Sequence, residues 1–303
     1  MARSQFPTSR RSYLAAVGAT LATAGCLGFG QGSAQTIEMG VVPDVDPDTA
    51  IQQNTGLAEY LENQLDVTID LSTSADYAGM VRSMASGQVD IAYFGGVSYV
   101  LAHHRADAEP VVVGSKDGST DWHSVFITHE SADVAAMEDI TASPGQYDLV
   151  FGDPISTSGT VMPTYYLQTE HDTSPADFAS STHVGAHDAT AKTVANGSGD
   201  VGALNARIYD SLVEDGTLGD GVTEVWRTPG FPDYPWAVAP SVGEGRIDAV
   251  RDAFTSLDES DNADILETQN VDEYVPVTHD DFTSLNDGVE MAGLLDDGGQ
   301  TTG

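Results

Sequence analysis

The sequence predicts an α/β protein of two lobes with a cleft at their junction. Three observations carry this expectation: a length of 303 residues, short apolar runs alternating with helical patterns, and two extended segments, 123–128 and 234–238, that divide one α/β set from another. A chain of this length exceeds one ordinary domain. Alternating strand and helix patterns are the mark of βα units, and hence of parallel sheets. Two passages between two lobes place a cleft at the joint, where ligands are enclosed by hinge motion.

The first lobe is expected over residues 36–124. Residues 37–42 read as its opening strand, and Leu57, Tyr60, Leu61 and Leu65 share one face of the helix that follows. A second strand runs over 67–71. The helix over 76–86 stops at Gly87, which stands just past the last turn, where the chain must go left-handed. Strands over 89–94 and 110–114 complete this half. The second lobe, 125–236, takes strands over 148–152, 182–185, 200–204 and 224–226 and helices over 157–169 and 188–196, the latter closed by Gly197. An amphipathic helix carrying Ile247, Val250, Phe254 and Leu257 then rejoins the first lobe, to which residues 237–303 are assigned. No internal repeat of about 20 to 50 residues occurs, which argues against a solenoid.

Residues 1–26 read as an export label. Arg10 and Arg11, with Tyr13 and Leu14, precede an apolar run over 15–24. A bilayer span needs about 20 apolar residues, so this run is a signal rather than a membrane helix. The paired arginines resemble a twin-arginine signal, which exports folded proteins. Cys26, the only cysteine, follows Thr23-Ala24-Gly25, a pattern that resembles a lipoprotein signal with cysteine as first mature residue, although Thr23 stands where leucine is usual. A lone cysteine is equally at home as an apolar filler or a free thiol, and it allows no disulfide. Residues 27–35, rich in Gly and Ser, read as a flexible tether.

The formal charge of −36, with lysine only at Lys116 and Lys192, makes nucleic acid a poor partner. Acidic residues are spread through apolar patterns instead of gathering in a block, which reads as the solvated surface of a halophilic protein. In brine the Debye length is about 3 Å or less, so self-repulsion is screened.

The residues that point to chemistry are Ser156, Thr157 and Ser158, three hydroxyls at the start of a helix, followed by Gly159. Free backbone N–H groups and the positive dipole end make such a place an anion site, and glycine lets the backbone approach closely. Ordinary N-capping accounts for one hydroxyl of the run, not three. Asn196-Gly197-Ser198 matches a glycosylation sequon and is equally a helix-stop turn. The motifs H-E-x-x-H, G-x-x-x-x-G-K-[ST] and paired C-x-x-C are absent, so no metal or other cofactor is expected. Ser156, His187 and an aspartate could compose a hydrolase triad, but no G-x-S-x-G elbow accompanies them.

The run from Phe151 through Gly159, with Pro163-Thr164-Tyr165-Tyr166-Leu167 after it, closely resembles the signature of the PhnD-type binding proteins of ABC importers. Asp76-Tyr77-Ala78-Gly79-Met80, Val89-Asp90-Ile91-Ala92-Tyr93-Phe94-Gly95, Trp122-His123-Ser124-Val125 and Gly185-Ala186-His187-Asp188-Ala189 occur in that family's order and spacing. The resemblance therefore covers most of the chain from Ile37 to Val238. It implies a two-lobed, type II periplasmic-binding-protein-like fold, a haloarchaeal-like lipoprotein without enzymatic activity, and capture of a phosphonate, phosphite or phosphate ester outside the cytoplasm. The partners implied are that small ligand, a membrane permease and a lipid anchor at Cys26 on the outer face of the cell membrane; a monomer is expected.

By the same resemblance Ser156, Thr157, Ser158, His187 and Tyr77 bind the oxyanion, and Trp122 lines the cleft. Phe94 and Trp236 are further candidates for its wall, and Asp233 and Tyr234 lie near the ligand's other end. Relatives that take aminoalkyl phosphonates meet the ammonium with carboxylates at two places that here hold Arg207 and Tyr234, with Asp233 adjacent. A compact or apolar substituent is therefore expected. The same fold binding a sulfonate or another small anion, or serving sensing or adhesion, remains open on sequence.

Overall fold

The computed structural model describes residues 35–219 and 221–295. The expected signal, Cys26 and all but the last residue of the expected tether lie outside the described residues. Strand β1 (Thr36–Val41) leads to α1 (Pro47–Leu65), whose start is set by Asp46: its carboxylate accepts from the backbone N–H of Asp48 and Thr49, and Pro47 takes the first helical position. Then come β2 (Thr68–Thr73) and α2 (Tyr77–Ala85), capped by Asp76 through Gly79 N and ended by Gly87 at φ +68°. Next are β3 (Ile91–Tyr93), α3 (Gly96–Ala106) and β4 (Glu109–Ser115). Helix α3 is missing from the sequence reading because every residue from Gly96 to Ala102 is buried, so no polar face marks its period.

The short β5 (Asp121–Trp122) carries the chain to a second sheet, which contains β6 (Ser124–His129), α4 (Met137–Thr141), β7 (Asp148–Phe151), a π-helical turn at Thr157–Val161 running into α5 (Met162–His171), β8 (Ser180–His183), α6 (His187–Ala195), β9 (Val201–Asn205), α7 (Ala206–Glu214) and β10 (Val222–Arg227). The return runs through β11 (Phe231–Pro232) to β12 (Pro235–Val238), α8 (Glu244–Thr255), α9 (Glu259–Thr268), β13 (Glu273–Pro276) and α10 (Asn286–Met291). Asn196 ends α6 in an exposed turn, its Oδ1 accepting from Ser198 N with Gly197 at φ +73°, the geometry of a helix stop.

Six strands in the order β13-β4-β12-β3-β1-β2 form one sheet, and five in the order β10-β6-β9-β7-β8 form the other. Both are mixed, where the sequence suggested parallel sheets: β12 runs antiparallel to β3 and β4, and β6 to β9 and β10. A parallel neighbour requires a crossover back over its own sheet, and these two strands instead arrive from the other sheet. Strands β5 and β11 pair with each other, Trp122 opposite Phe231 and Asp121 opposite Pro232. The passages thus lie side by side at Asp121–Trp122 and Phe231–Pro232. Segments 123–128 and 234–238, read from sequence as the passages, belong largely to β6 and β12, which are paired on both edges and therefore need apolar residues on both faces.

As expected, Ile247, Val250 and Phe254 of α8 join the first sheet, where they pack with Leu57 and Leu61 of α1 and with Trp236. Among the described residues no helix is long and apolar enough to cross a membrane.

Candidate functional site

Ser156, Thr157 and Ser158 lie between β7 and α5 and are 1%, 1% and 0% exposed, a depth at which polar groups need partners. The turn is wider than the α-helical start expected over 157–169, since Thr160 N and Val161 N both donate to the Ser156 carbonyl at 3.2 and 3.0 Å. Single π turns inside helices are frequent at functional sites. Thr160 Oγ1 donates to the Asp153 carbonyl at 2.8 Å, and Gly159 N donates to Ser156 Oγ at 3.1 Å. Ser156 therefore does cap the turn, while the other two hydroxyls have different neighbours. Gly159 is a place of close approach: a Cβ there would stand 2.9 Å from both Ser156 Oγ and His187 Cε1 and 3.3 Å from Gly152 Cα.

His187 opens α6 and is 1% exposed. Its Nδ1 accepts from the backbone N–H of Asn205 at 3.2 Å, which leaves the ring proton on Nε2. Burial lowers the imidazole to about 3, so the ring is neutral at neutral pH. Nε2 lies 3.0 Å from Tyr234 Oη and 3.5 Å from Ser156 Oγ. Asn205 itself does more: its Nδ2 donates to Ser158 Oγ at 3.3 Å, while its Oδ1 accepts from Arg207 N and Ile208 N and so caps α7. One asparagine at a strand end thereby fixes a tautomer, orients a hydroxyl and starts a helix.

The first sheet meets this turn through three hydrogen bonds. Tyr77 N donates to Asp153 Oδ2 at 3.2 Å, Val97 N to Thr157 Oγ1 at 2.9 Å, and His187 N to the Asp44 carbonyl at 2.9 Å. The Tyr77 hydroxyl is buried with no partner at hydrogen-bond geometry, and burial holds it well above the usual phenol range against the smaller opposing pull of the nearby Tyr234 hydroxyl, so it is a neutral donor. A Cβ on Gly95 would stand 3.2 Å from both Thr157 Oγ1 and Tyr77 Cε1 and 3.5 Å from Asp233 Oδ1. Side chains from three separate parts of the chain thus converge on one glycine. Asp233 is fully buried; its Oδ1 accepts from Gly96 N at the start of α3 and from Tyr234 N at 2.9 Å. Burial raises this carboxyl to about 6 in spite of those bonds.

Beside Tyr234 lies a cavity of about 620 Å³, with Asp44, Tyr93, Trp122, Asp188, Arg207 and Tyr234 among its lining residues. Tyr234 stacks on Tyr93 with centroids 5.0 Å apart and packs at 4.7 Å on Trp122, over which the Arg207 guanidinium sits at 3.9 Å. Arg207 Nη2 donates to the Asp121 carbonyl at 3.2 Å, whereas Nη1 is buried and unpartnered. Tyr234 has φ +52°, a conformation that bulky residues rarely adopt and that clusters at functional sites.

Three wall candidates stand elsewhere. Phe94 is fully buried in an apolar cluster, and its neighbour Tyr93 lines the cavity, because successive strand residues face opposite ways. Trp236 packs on Phe254 in the core, and Asp233 turns inward to the α3 terminus. Tyr93, Asn205 and the carboxylate of Asp153 received no role from sequence. Asn205 was within reach, since an asparagine before an amphipathic run is a capping signal.

The sequence profile of the family described as "ABC transporter, phosphonate, periplasmic substrate-binding protein" matches residues 39–282. A probable ABC transporter phosphite binding protein, PhnD1, of Prochlorococcus marinus is 24% identical over 263 residues, covering 84% of this chain and 88% of that protein. The phosphonates-binding periplasmic protein of Escherichia coli is 28% identical over 226 residues, covering 73% of this chain and 65% of that protein. The structure of PhnD1 from Prochlorococcus marinus in complex with methylphosphonate shares the fold, with a TM-score of 0.80 at 22% identity over 86% of this chain and 98% of that one. The profile match spans most of the chain, and the protein therefore belongs to the family of phosphonate-binding, periplasmic substrate-binding proteins of ABC transporters.

Proposed function

We propose that this protein captures a small phosphorus oxyanion, a phosphonate, phosphite or phosphate ester, outside the cytoplasm and delivers it to an ABC permease. The observation that carries this reading is the buried, unpartnered hydroxyl of Tyr77 beside the Ser156-Thr157-Ser158 turn of the opposite sheet. A phosphorus oxyanion needs several convergent donors, and Tyr77, Ser156, Thr157, Ser158 and the Nε2–H of His187 supply them without a charged residue. Donors fixed in a water-poor site act strongly on an anion whatever the net charge of −36, which brine screens. A hydrolase reading is disfavoured by the His187 tautomer: Nε2 already carries the proton, and Nδ1 faces a backbone N–H where a triad would have a carboxylate.

The wall next to the site suits a compact or apolar substituent. Arg207 would repel an ammonium group, Asp188 is engaged by Lys192 at 2.6 Å, and burial has pushed Asp44 up to about 7, so it is partly neutral. Titration calorimetry in high KCl is expected to rank phosphite or methylphosphonate above aminoethylphosphonate. Aminoethylphosphonate binding more than about tenfold tighter than both would overturn this view of the wall, and no binding of any phosphorus oxyanion would overturn the function.

Anchorage belongs to the same proposal. The twin-arginine pattern and Cys26 support export followed by lipidation, and the dispersed acidic surface supports life in brine. Cys26→Ser is expected to move the protein from the membrane fraction to the medium; equal membrane retention of both forms would remove the anchor.

A further inference from the structure

We propose that Asp233 is the specificity-determining acceptor of the site, accepting the P–OH hydrogen of a monoprotonated phosphorus oxyanion and thereby excluding sulfonates. This inference rests on the phosphorus-oxyanion reading above and names what that site demands of its ligand. The carboxylate is fully buried, and its two oxygens are not equivalent. Oδ1 is occupied by the N–H groups of Gly96 and Tyr234, while Oδ2 is buried without a hydrogen bond of its own; the hydroxyls of Thr157 and Ser158 come close enough to the carboxylate to favour its charged form. The surroundings are the proposed anion donors: Oδ1, Thr157 Oγ1 and the Tyr77 ring all lie within 3.5 Å of the point where a Gly95 Cβ would be.

The other candidate ligand groups offer donors to the anion, and Asp233 Oδ2 is an acceptor set among them. Two fully ionised oxyanions brought together in a dry site would set lone pair against lone pair, so a proton must lie between Asp233 Oδ2 and the ligand oxygen. A phosphonate, phosphite or phosphate monoester brings that proton as a monoanion near neutral pH. A sulfonate has the same charge and similar shape but no proton to bring, and it can bind only when Asp233 is itself protonated. Burial raises the Asp233 carboxyl to about 6, so that condition fails progressively above neutrality.

The groups that act on Asp233 from neighbouring elements are Asp44, Tyr77, Tyr93, Tyr234 and Arg207. The tyrosines stay neutral and Arg207 stays charged through this range. Asp44, pushed up to about 7, repels both monoanions alike and drops out of the ratio of two affinities; the loss of methylphosphonate's own second proton toward the upper pH works against the expected rise, so a rise in the ratio reports Asp233.

The test measures methylphosphonate and methanesulfonate by calorimetry on the wild type and Asp233→Asn, from about pH 6 to about pH 8. Asparagine keeps Oδ1 for Gly96 and Tyr234 and replaces the orphaned acceptor by an N–H donor. In the wild type, preference for methylphosphonate should exceed about a hundredfold at the upper pH and shrink toward the lower, because a site built around one hydrogen rejects the analogue lacking it. Asp233→Asn should cut the preference at least about tenfold and flatten its pH dependence. If Asp233→Asn fails to fold, the wild-type pH series decides alone. Methylphosphonate binding with a preference that the variant leaves unchanged, or with no pH dependence of the ratio, overturns the role of Asp233 only. Binding of neither anion overturns it together with the function.

Discussion

Thr157→Val is expected to weaken binding of methylphosphonate by about a hundredfold or more, the largest loss from any single hydroxyl of the site. Two effects add. The proposed charge-assisted bond to the oxyanion is lost, worth about 1.5 to 3 kcal/mol, and the N–H of Val97, which donates to Thr157 Oγ1 across the two sheets, is left buried without an acceptor at about 1 to 3 kcal/mol more. If, as expected of a two-lobed binding protein, ligand closes the lobes, the second effect arises only when the sheets are together and so acts on the bound state. Ser156→Ala also orphans an N–H, that of Gly159, but within the same turn and so in free and bound protein alike, and it should cost only about tenfold to a hundredfold in affinity. Calorimetry on both variants checks the order, and small-angle scattering should show that ligand contracts the wild type more than Thr157→Val. Equal affinities for wild type and Thr157→Val would remove the turn from the site.

Gly159→Ala is expected to lower stability by about 1 to 3 kcal/mol and to abolish measurable binding. The added methyl would meet Ser156 Oγ and His187 Cε1 at 2.9 Å, with the backbone of Gly152 behind at 3.3 Å. Gly152 cannot retreat, because its N–H donates to the Gly159 carbonyl at 3.0 Å. The strain therefore goes into the serine and the histidine, both proposed anion donors. Thermal unfolding together with titration separates the two consequences: a stable variant with wild-type affinity would show that the close approach is incidental.

The local code made much of this legible. Gly87 and Gly197 announce the ends of α2 and α6, and the Leu57, Leu61 and Ile247, Val250, Phe254 patterns announce the faces of α1 and α8. Helix α3 was hidden because its first two turns, residues 96–102, are wholly buried, whereas α7, which follows β9 with no intervening loop, was legible through its Asn205 cap and was passed over. Of the site, the hydroxyl run and His187 could be read because they are local or lie in a recognisable motif. The Asn205 bond to His187 spans 18 positions, and that from Gly96 to Asp233 spans 137. No spacing rule reaches across such separations. The side of the strand facing the cavity also eluded sequence, since a shift of one residue exchanges Phe94 for Tyr93.

The three bonds that join the sheets, Tyr77 N to Asp153, Val97 N to Thr157 and His187 N to the Asp44 carbonyl, are made between protein atoms alone. If ligand closes the lobes, these bonds contribute the same free energy to the closed form whatever anion is held. Such energy raises or lowers every affinity by one common factor and leaves the ranking of ligands untouched. Asp153 is the one side chain of this set outside the hydroxyl run. On the proposed site, its expected role is that of a gain control: it would set how dilute a nutrient the protein responds to, while the proposed donors and acceptor would decide which nutrient that is.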